Sequence, residues 1–165
     1  GLLLIAPTSV AWLTGNYERA RARLEEALSL VRPRGKWMLA TILYNVCQVA
    51  IQQGQLGQAE DAGREGVACS HETGDYRALT WCLGGLACAA AARRQLHRAA
   101  RMWGAAEGIS ESIGAPLPPF LRSFAGPYLL GVRDTVGNEQ FAAAWTEGRQ
   151  MTPDAVVAYV LRDEA

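Results

Sequence analysis

The sequence contains few groups of the kind that bind phosphate or nucleic acid. Lys36 is the single lysine, and the 16 basic residues are balanced by 16 acidic residues. A chain with zero net charge is unlike a dedicated nucleic-acid-binding domain, which is usually strongly basic. The lysine is not part of a G-x-x-x-x-G-K-[ST] loop, so no phosphate-binding loop is predicted. We therefore expect this chain to make no direct contact with nucleic acid and to carry no cofactor.

Groups suited to catalysis or metal binding are also scarce. Neither of the two histidines has a carboxylate at a spacing that would orient its ring. The four cysteines, Cys47, Cys69, Cys82 and Cys88, include no Cys-x-x-Cys pair, and a zinc site needs four converging ligands. We expect the cysteines to be reduced, small core residues. Neither a metal site nor enzyme activity is predicted.

The sequence lacks a segment typical of a membrane span or a secretion signal. Its longest uncharged stretches are residues 37–58 and 78–92. The first carries several amide side chains, and the second is short and rich in alanine. The sequence opens at Gly1 inside an apolar run, with neither an initiator Met nor a basic segment. We expect the chain to be part of a longer cytoplasmic protein that does not contact a membrane.

What the sequence does contain is typical of a folded, helical domain. Half of the residues are hydrophobic and 19% are charged, which excludes intrinsic disorder. Ala, Leu, Arg and Glu, all strong helix formers, dominate the composition. No stretch alternates apolar with polar residues as a half-buried strand would. The predicted fold class is all-α.

A short turn followed by a helix start recurs three times. The copies are GNYERA at 15–20, GQLGQA at 54–59 and RQLHRA at 94–99, and their last alanines lie 39 and 40 residues apart. Asn16 and Asp75 are predicted to cap the helices that follow them. Prolines and glycines break the chain between the copies. The pattern predicts three units of helix, turn and helix.

The pattern changes after the prolines that end at residue 119. Residues 120–136 are predicted to form a helix that the Gly-Pro pair at 126–127 kinks or divides, and Asn138 is predicted to cap a short helix that reaches residue 148. The sequence Thr152-Pro153-Asp154 is typical of a helix start, and this last helix is expected to end near residue 162. Its expected buried residues are Val156, Val157, Val160 and Leu161.

The turns and their spacing resemble those of tetratricopeptide repeats, in which two antiparallel helices form each unit. Gly15, Tyr17 and Ala20 match that family's signature. The third turn departs from that signature because it lacks the glycine. The period exceeds the usual 34 residues and lies in the range of HEAT-type repeats, which are therefore an alternative. The resemblance implies a superhelix of about three helix pairs in residues 1–117, the first truncated or irregular. Stacked repeats leave an apolar end face, so residues 118–165 are predicted to form a C-terminal helical cap of the same domain.

Two further segments resemble the C-terminal region of large bacterial signalling ATPases and LuxR-type transcriptional regulators. They are RAARMWGAAE at 98–107, followed by IGAPLPP at 113–119, and FAAAWTEGR at 141–149. The resemblance implies a non-catalytic protein-interaction or regulatory domain in signal transduction. Its partner would be a protein or peptide segment, or another domain of the same polypeptide. The alternative is a receptor domain that senses a small molecule or a peptide in its concave groove.

Helical spacing predicts which residues would line such a groove. In the resembled family the first helix of each pair turns one stripe toward the concave side, and residues three and four apart share that stripe. The predicted groove residues are Trp12, Thr41, Tyr44, Gln48, Gln52, Trp81 and Cys88. The set is uncharged, which favours a neutral peptide or helix as partner. Filling by the C-terminal helices is the alternative, but burying each glutamine amide unpaired would cost about 1–3 kcal/mol, so we expect an accessible groove.

The densest basic cluster accompanies the third turn. Arg94, Arg98 and Arg101 share a face if the helix begins near residue 95, and they would suit an anion or an acidic partner. A solvated turn between two helices is the alternative interpretation. The aromatic residues expected to fill the core near the C-terminus are Trp103, Phe141, Trp145 and Tyr159.

Overall fold

The described part of the molecule is entirely helical. The computed structural model describes residues 15–36 and 38–162, and these ranges contain α-helices, one short 3-10 helix (Arg32–Arg34) and no strand. The predicted all-α class is confirmed. The helices are α1 (Tyr17–Val31), α2 (Leu39–Gln52), α3 (Leu56–Thr73), α4 (Tyr76–Ala92), α5 (Leu96–Ser112), α6 (Pro119–Val136), α7 (Asn138–Arg149) and α8 (Pro153–Leu161).

Three helices begin where the sequence places a side-chain cap. Asn16 accepts a hydrogen bond from the backbone N–H of Arg19 at 3.2 Å, and Asp75 accepts one from Ala78 at 3.0 Å. Thr152 does the same for Ala155 at the start of α8, at 3.2 Å. Each cap satisfies a backbone donor that has no partner within its helix. The predicted helix starts at these three residues are confirmed.

The turns between the paired helices depend on a left-handed backbone conformation. Gly54 lies between α2 and α3 with φ of 72°, which glycine adopts without steric cost. At the corresponding point between α4 and α5 the residue is Arg94, and its φ is 65°. An arginine in this conformation is strained, because its Cβ crowds the backbone. The third turn therefore keeps the shape of the second although its sequence lacks the glycine.

The helices pack into a row with further helices on its flank. Neighbouring helices contact each other in chain order from α1 to α5, and the three-residue turns make α2/α3 and α4/α5 antiparallel pairs. Helix α4 also contacts α2 and α6, so α2, α4 and α6 lie side by side in what we call the inner row. Helix α7 packs mainly on α5, and α8 returns to contact α3 and α5.

Helix α6 is continuous through its proline, so the expected division at residues 126–127 does not occur. Pro127 lies inside the helix that runs from Pro119 to Val136. A proline removes one backbone hydrogen bond, here to the carbonyl of Ser123. Both residues are exposed, so water can satisfy that carbonyl and the helix persists.

Two further expectations for the C-terminal region are corrected. The N-cap of α7 is Gly137, with φ of 86°, and Asn138 is already the first helical residue. Val156, Val157 and Val160 are buried as predicted, whereas Leu161 is 41% exposed. Helix α8 is short and meets the remainder of the fold along one side, so the last residue of the apolar run projects away from it.

All four cysteines are buried and none is in a disulfide, as the sequence predicted. Two of them fill narrow gaps between helices: a Cβ on Gly85 would lie 3.0 Å from the sulfur of Cys47, and a Cβ on Gly66 would lie 2.6 Å from the sulfur of Cys82. Burial raises the pKa of the Cys47, Cys82 and Cys88 thiols well above the ordinary value. They are therefore protonated and unreactive at neutral pH. Of the helices in the described ranges, none is long and apolar enough to cross a membrane.

Candidate functional site

Three of the predicted groove residues, Tyr44 and Gln48 of α2 and Trp81 of α4, lie on a common surface. The rings of Tyr44 on α2 and Trp81 on α4 have centroids 6.1 Å apart. Gln48 donates a hydrogen bond from its side-chain amide to the hydroxyl of Tyr44. The spacing argument therefore located one face of the inner row correctly. Trp12 lies outside the described residues.

Helix α6 lies on this surface. The ring of Phe120 packs edge-on against Trp81 with centroids 5.4 Å apart, and it lies 6.2 Å from the ring of Tyr44. Further along, the absence of a side chain at Gly84 admits Leu121, whose methyl carbon would lie 2.8 Å from a Cβ at that position. The contact is therefore a helix seated on two other helices.

The expected accessible groove is consequently closed over much of its length. Tyr44 is 2% exposed, Gln48 is 7% exposed and Cys88 is fully buried. The cost expected for burying Gln48 is offset by its hydrogen bond to Tyr44, a pairing that helical spacing of four residues permits. Thr41 and Trp81 remain partly exposed and Gln52 is exposed. Partner binding by this set stays a prediction.

A second surface lies on the opposite side of α6, where a cleft of about 480 Å³ opens between α5, α6 and α7. We call it the α5–α7 cleft. Its apolar lining consists of Trp103, Leu129, Leu130, Phe141, Ala142 and Trp145. Leu130 stands at its edge and is 60% exposed, the highest value among the large hydrophobic side chains of the described ranges. The volume is within the usual range for small-molecule sites.

Sequence reasoning missed this cleft because it assigned the aromatic side chains to the core. Trp103 and Phe141 are indeed buried, and Trp145 is partly buried against the core. Each nevertheless also lines the cleft. The one available signal was the spacing of Gly126, Leu130 and Arg133 on α6, which places a gap, an apolar side chain and a cation on one helical face.

One wall of the cleft carries a carboxylate that is already paired with other residues of the chain. Glu107 on α5 is 17% exposed at its side chain and accepts a hydrogen bond from the indole N–H of Trp145 at 2.8 Å. Its other oxygen lies 3.3 Å from the guanidinium of Arg122. Both oxygens are thus hydrogen-bonded, and the charge is balanced by a cation. Glu107 therefore fixes α5 to α7 at the cleft.

The arginine at the edge of the cleft is in a different position. The guanidinium carbon of Arg133 lies 5.0 Å from the centroid of the Phe141 ring, a cation–π distance. No ion pair joins Arg133 to any residue in the described part of the chain. Arg149 stacks on Trp145 at the same distance but is also bound to Glu111, with one N···O distance of 2.6 Å. Arg133 is therefore the cation at the cleft without a carboxylate.

The predicted basic cluster is divided by the structure. Arg94 is exposed in its turn, whereas Arg98 and Arg101 both stack on the ring of Tyr159 in α8, at 5.7 and 5.4 Å from its centroid. Arg101 also forms an ion pair with Glu147 of α7. Arg98 and Arg101 thus hold the C-terminal helices against α5. A contact of this cluster with an anion or an acidic partner stays a prediction.

No group of three or more histidine, cysteine, aspartate or glutamate side chains is placed to hold a metal ion within residues 15–36 and 38–162. Comparison with protein-family models, with curated proteins and with solved structures finds no match to this chain. A function is therefore inferred from the residues and their geometry.

Proposed function

We propose that this chain is a non-catalytic protein-interaction and regulatory domain of a bacterial transcriptional regulator, of LuxR type, or of a related signalling ATPase. In this proposal residues 1–117 form tetratricopeptide-like helix pairs and residues 118–165 form their C-terminal cap. The antiparallel pairs α2/α3 and α4/α5, their similar turns and the recurrence of these turns after 40 residues support the assignment.

The observation that carries the interaction role is the way in which the inner row holds α6. Side chains of α6, a helix that belongs to neither antiparallel pair, pack against the inner row. They contact Tyr44 of α2 and Trp81 and Gly84 of α4. This surface is uncharged, and the apolar face of α6 packs on it. Helix α6 occupies it within the chain.

A partner segment would bind at the rim where α6 meets the inner row, which is formed by exposed side chains of both. Phe120 is 47% exposed and Gln52 is exposed, while Thr41 and Trp81 are partly exposed. Together they combine aromatic area with amide and hydroxyl groups. Such a rim suits a neutral segment of another protein, or of another domain in the same polypeptide.

Site-specific photocrosslinking in the full-length gene product tests this role. The photoreactive residue p-benzoylphenylalanine is placed at position 120 in one variant and at position 161 in another, since Leu161 is similarly exposed but lies on α8. We expect a discrete crosslinked partner from position 120 alone. The substitution Gln52→Arg should abolish it and Gln58→Arg on α3 should not. Equal crosslinking from both positions, or persistence with Gln52→Arg, would contradict the proposal.

A second candidate function is that of a small-molecule receptor domain. The groove first expected to hold the ligand is occupied by α6, but the α5–α7 cleft offers about 480 Å³ with apolar walls. Ligand-dependent stabilisation of the isolated chain, with no protein partner present, would distinguish this role from protein interaction.

A further inference from the structure

We propose that the α5–α7 cleft binds a small amphipathic carboxylic acid, with the apolar body inside the cleft and the carboxylate on Arg133. This inference goes beyond the protein-interaction role, because it adds a ligand site on the face of α6 opposite to the inner row. It commits to a free small molecule as the occupant.

The apolar part of the argument is the shape of the cleft. Two indole rings, the ring of Phe141 and leucine side chains of α6 line a cleft of about 480 Å³. Gly126 lies on its α6 wall, and a Cβ added there would have no atom within 4 Å. The wall is therefore open at the position where any other residue would project a side chain. An alkyl chain or a ring system of moderate size fits this space and would cover the exposed Leu130.

The polar part of the argument is charge complementarity. The guanidinium of Arg133 is held over the Phe141 ring and faces no carboxylate in the part of the chain that the structure describes. A ligand carboxylate can accept two parallel hydrogen bonds from such a group. Glu107, the carboxylate on the α5 wall, is already bound to Trp145 and Arg122. An ammonium group would therefore gain little at Glu107 and would be repelled by Arg133.

The location of Arg133 also fixes the orientation of the ligand. Glu107 is on α5 and would repel a second carboxylate, while Arg133 is on α6 at the edge of the cleft. The acid group is thus expected at the α6 edge and the hydrocarbon toward the indole of Trp103 and the indole of Trp145. Because α6 forms both the inner-row contact and this wall, a bound acid would stabilise the docked position of α6.

The test uses three probes with the same hydrocarbon chain, namely decanoate, decanol and decylammonium. The two ions are kept below their micelle concentrations and decanol below its solubility limit. Binding to the full chain is followed by the indole N–H resonance of Trp145 in a proton–nitrogen correlation spectrum, and the dissociation constants are measured by calorimetry. We expect decanoate to bind most tightly. Decanol should bind about tenfold more weakly, the scale of one charge-assisted hydrogen bond. Decylammonium should bind most weakly.

Three variants separate the apolar and polar contributions. Gly126→Leu fills the cleft and should abolish binding of every probe. Gly131→Leu is the matched control. A Cβ at Gly131 also meets no atom within 4 Å, but this residue does not line the cleft. Arg133→Gln should weaken decanoate about tenfold and leave decanol unchanged. Thermal unfolding of each variant verifies that it is folded.

Several results would overturn the inference. They are the absence of decanoate binding, equal affinity for decanoate and decylammonium, and unchanged decanoate affinity in Arg133→Gln or Gly126→Leu. If Gly126→Leu proves unfolded, Arg133→Gln decides the matter, since Arg133 is an exposed residue outside the core.

Discussion

Gly104 of α5 lies directly against the backbone of Trp145 in α7, and a Cβ on Gly104 would overlap the carbonyl oxygen of Trp145. Gly148 of α7 meets the carbonyl of Arg101 in the same way. The two helices therefore pack with their backbones in contact, as only glycine permits. This contact places the Trp145 indole within hydrogen-bonding distance of Glu107 and so sets one wall of the α5–α7 cleft.

The substitution Gly104→Ala is expected to lower the free energy of unfolding by about 1–3 kcal/mol, the usual penalty for overpacking a core. The added methyl group must push α5 and α7 apart, since it meets backbone atoms that cannot rotate away. Urea unfolding measures the change. Gly131→Ala, in open space on α6, is the control and should be neutral or slightly stabilising. A similar loss in both variants would refute the packing explanation.

The buried pair of Gln48 and Tyr44 gives a second prediction. Gln48→Met keeps the side-chain volume but removes the donor to the Tyr44 hydroxyl, which is buried. The expected loss is about 1–3 kcal/mol, the cost of leaving a buried polar group unpaired. Adding Tyr44→Phe should recover part of it, because neither polar group is then present. A double-mutant cycle by urea unfolding measures this coupling, and strict additivity would show that the hydrogen bond contributes nothing.

The left-handed conformation of Arg94 predicts a stabilising substitution. Arg94→Gly removes the steric strain of φ at 65°, and the gain is partly offset by the greater freedom of glycine in the unfolded chain. The expected net gain is about 0.5–1 kcal/mol. Gly54→Arg, the reverse change at the corresponding turn, should be destabilising. Thermal unfolding of both variants measures the effect, and a loss in Arg94→Gly would mean that its side chain makes a contact worth more than the strain.

Stability is expected to fall in alkaline solution. Burial raises the pKa of the Cys47, Cys82 and Cys88 thiols, so the folded state retains protons that the unfolded state loses above about pH 8.5. The contribution of these thiols to the free energy of unfolding is complete below that pH and declines as the pH rises. The slope should approach about 1.4 kcal/mol per pH unit for each thiol.

Urea unfolding at several pH values between neutral and strongly alkaline, under reducing conditions, measures this slope. Burial also raises the pKa of the Tyr44 hydroxyl. Ionisation of tyrosine in the unfolded state therefore lowers the free energy of unfolding further at higher pH. Cys88→Ala should reduce the slope by one thiol even if it lowers the overall stability. An unchanged slope in that variant would show that the thiol titrates equally in both states.

Removal of residues 118–165 is expected to yield an insoluble or loosely packed chain. The deletion uncovers α4 where Leu121 and Phe124 of α6 are buried, and uncovers α5 along its contact with α7. A shorter deletion that removes only α8 exposes less of α3 and α5 and should leave a folded protein. Circular dichroism melts of the two fragments compare them. A soluble, cooperatively melting fragment 1–117 would contradict the capping role.

Local sequence information predicted the elements of this fold. The caps at Asn16, Asp75 and Thr152 lie within three residues of the N–H groups that they bind, so the signal and its effect are adjacent in the sequence. The spacing on α2 and α4 likewise identified the face that carries Tyr44 and Trp81, because helical periodicity is a local property.

Tertiary structure alone decided what covers each face. Periodicity shows that a helix has an apolar side, but the choice of α6 as the cover of the inner row depends on the fit of Phe120 and Leu121 to residues far away in the chain. The strain at Arg94 is a further case, since the α4/α5 pairing imposes a conformation that an arginine does not favour. The α5–α7 cleft arises in the same manner. As large aromatic residues, Trp103 and Trp145 are expected in the core, and in the structure they also line the cleft. The reason is that the glycine contact between α5 and α7 fixes where the third helix, α6, leaves a gap.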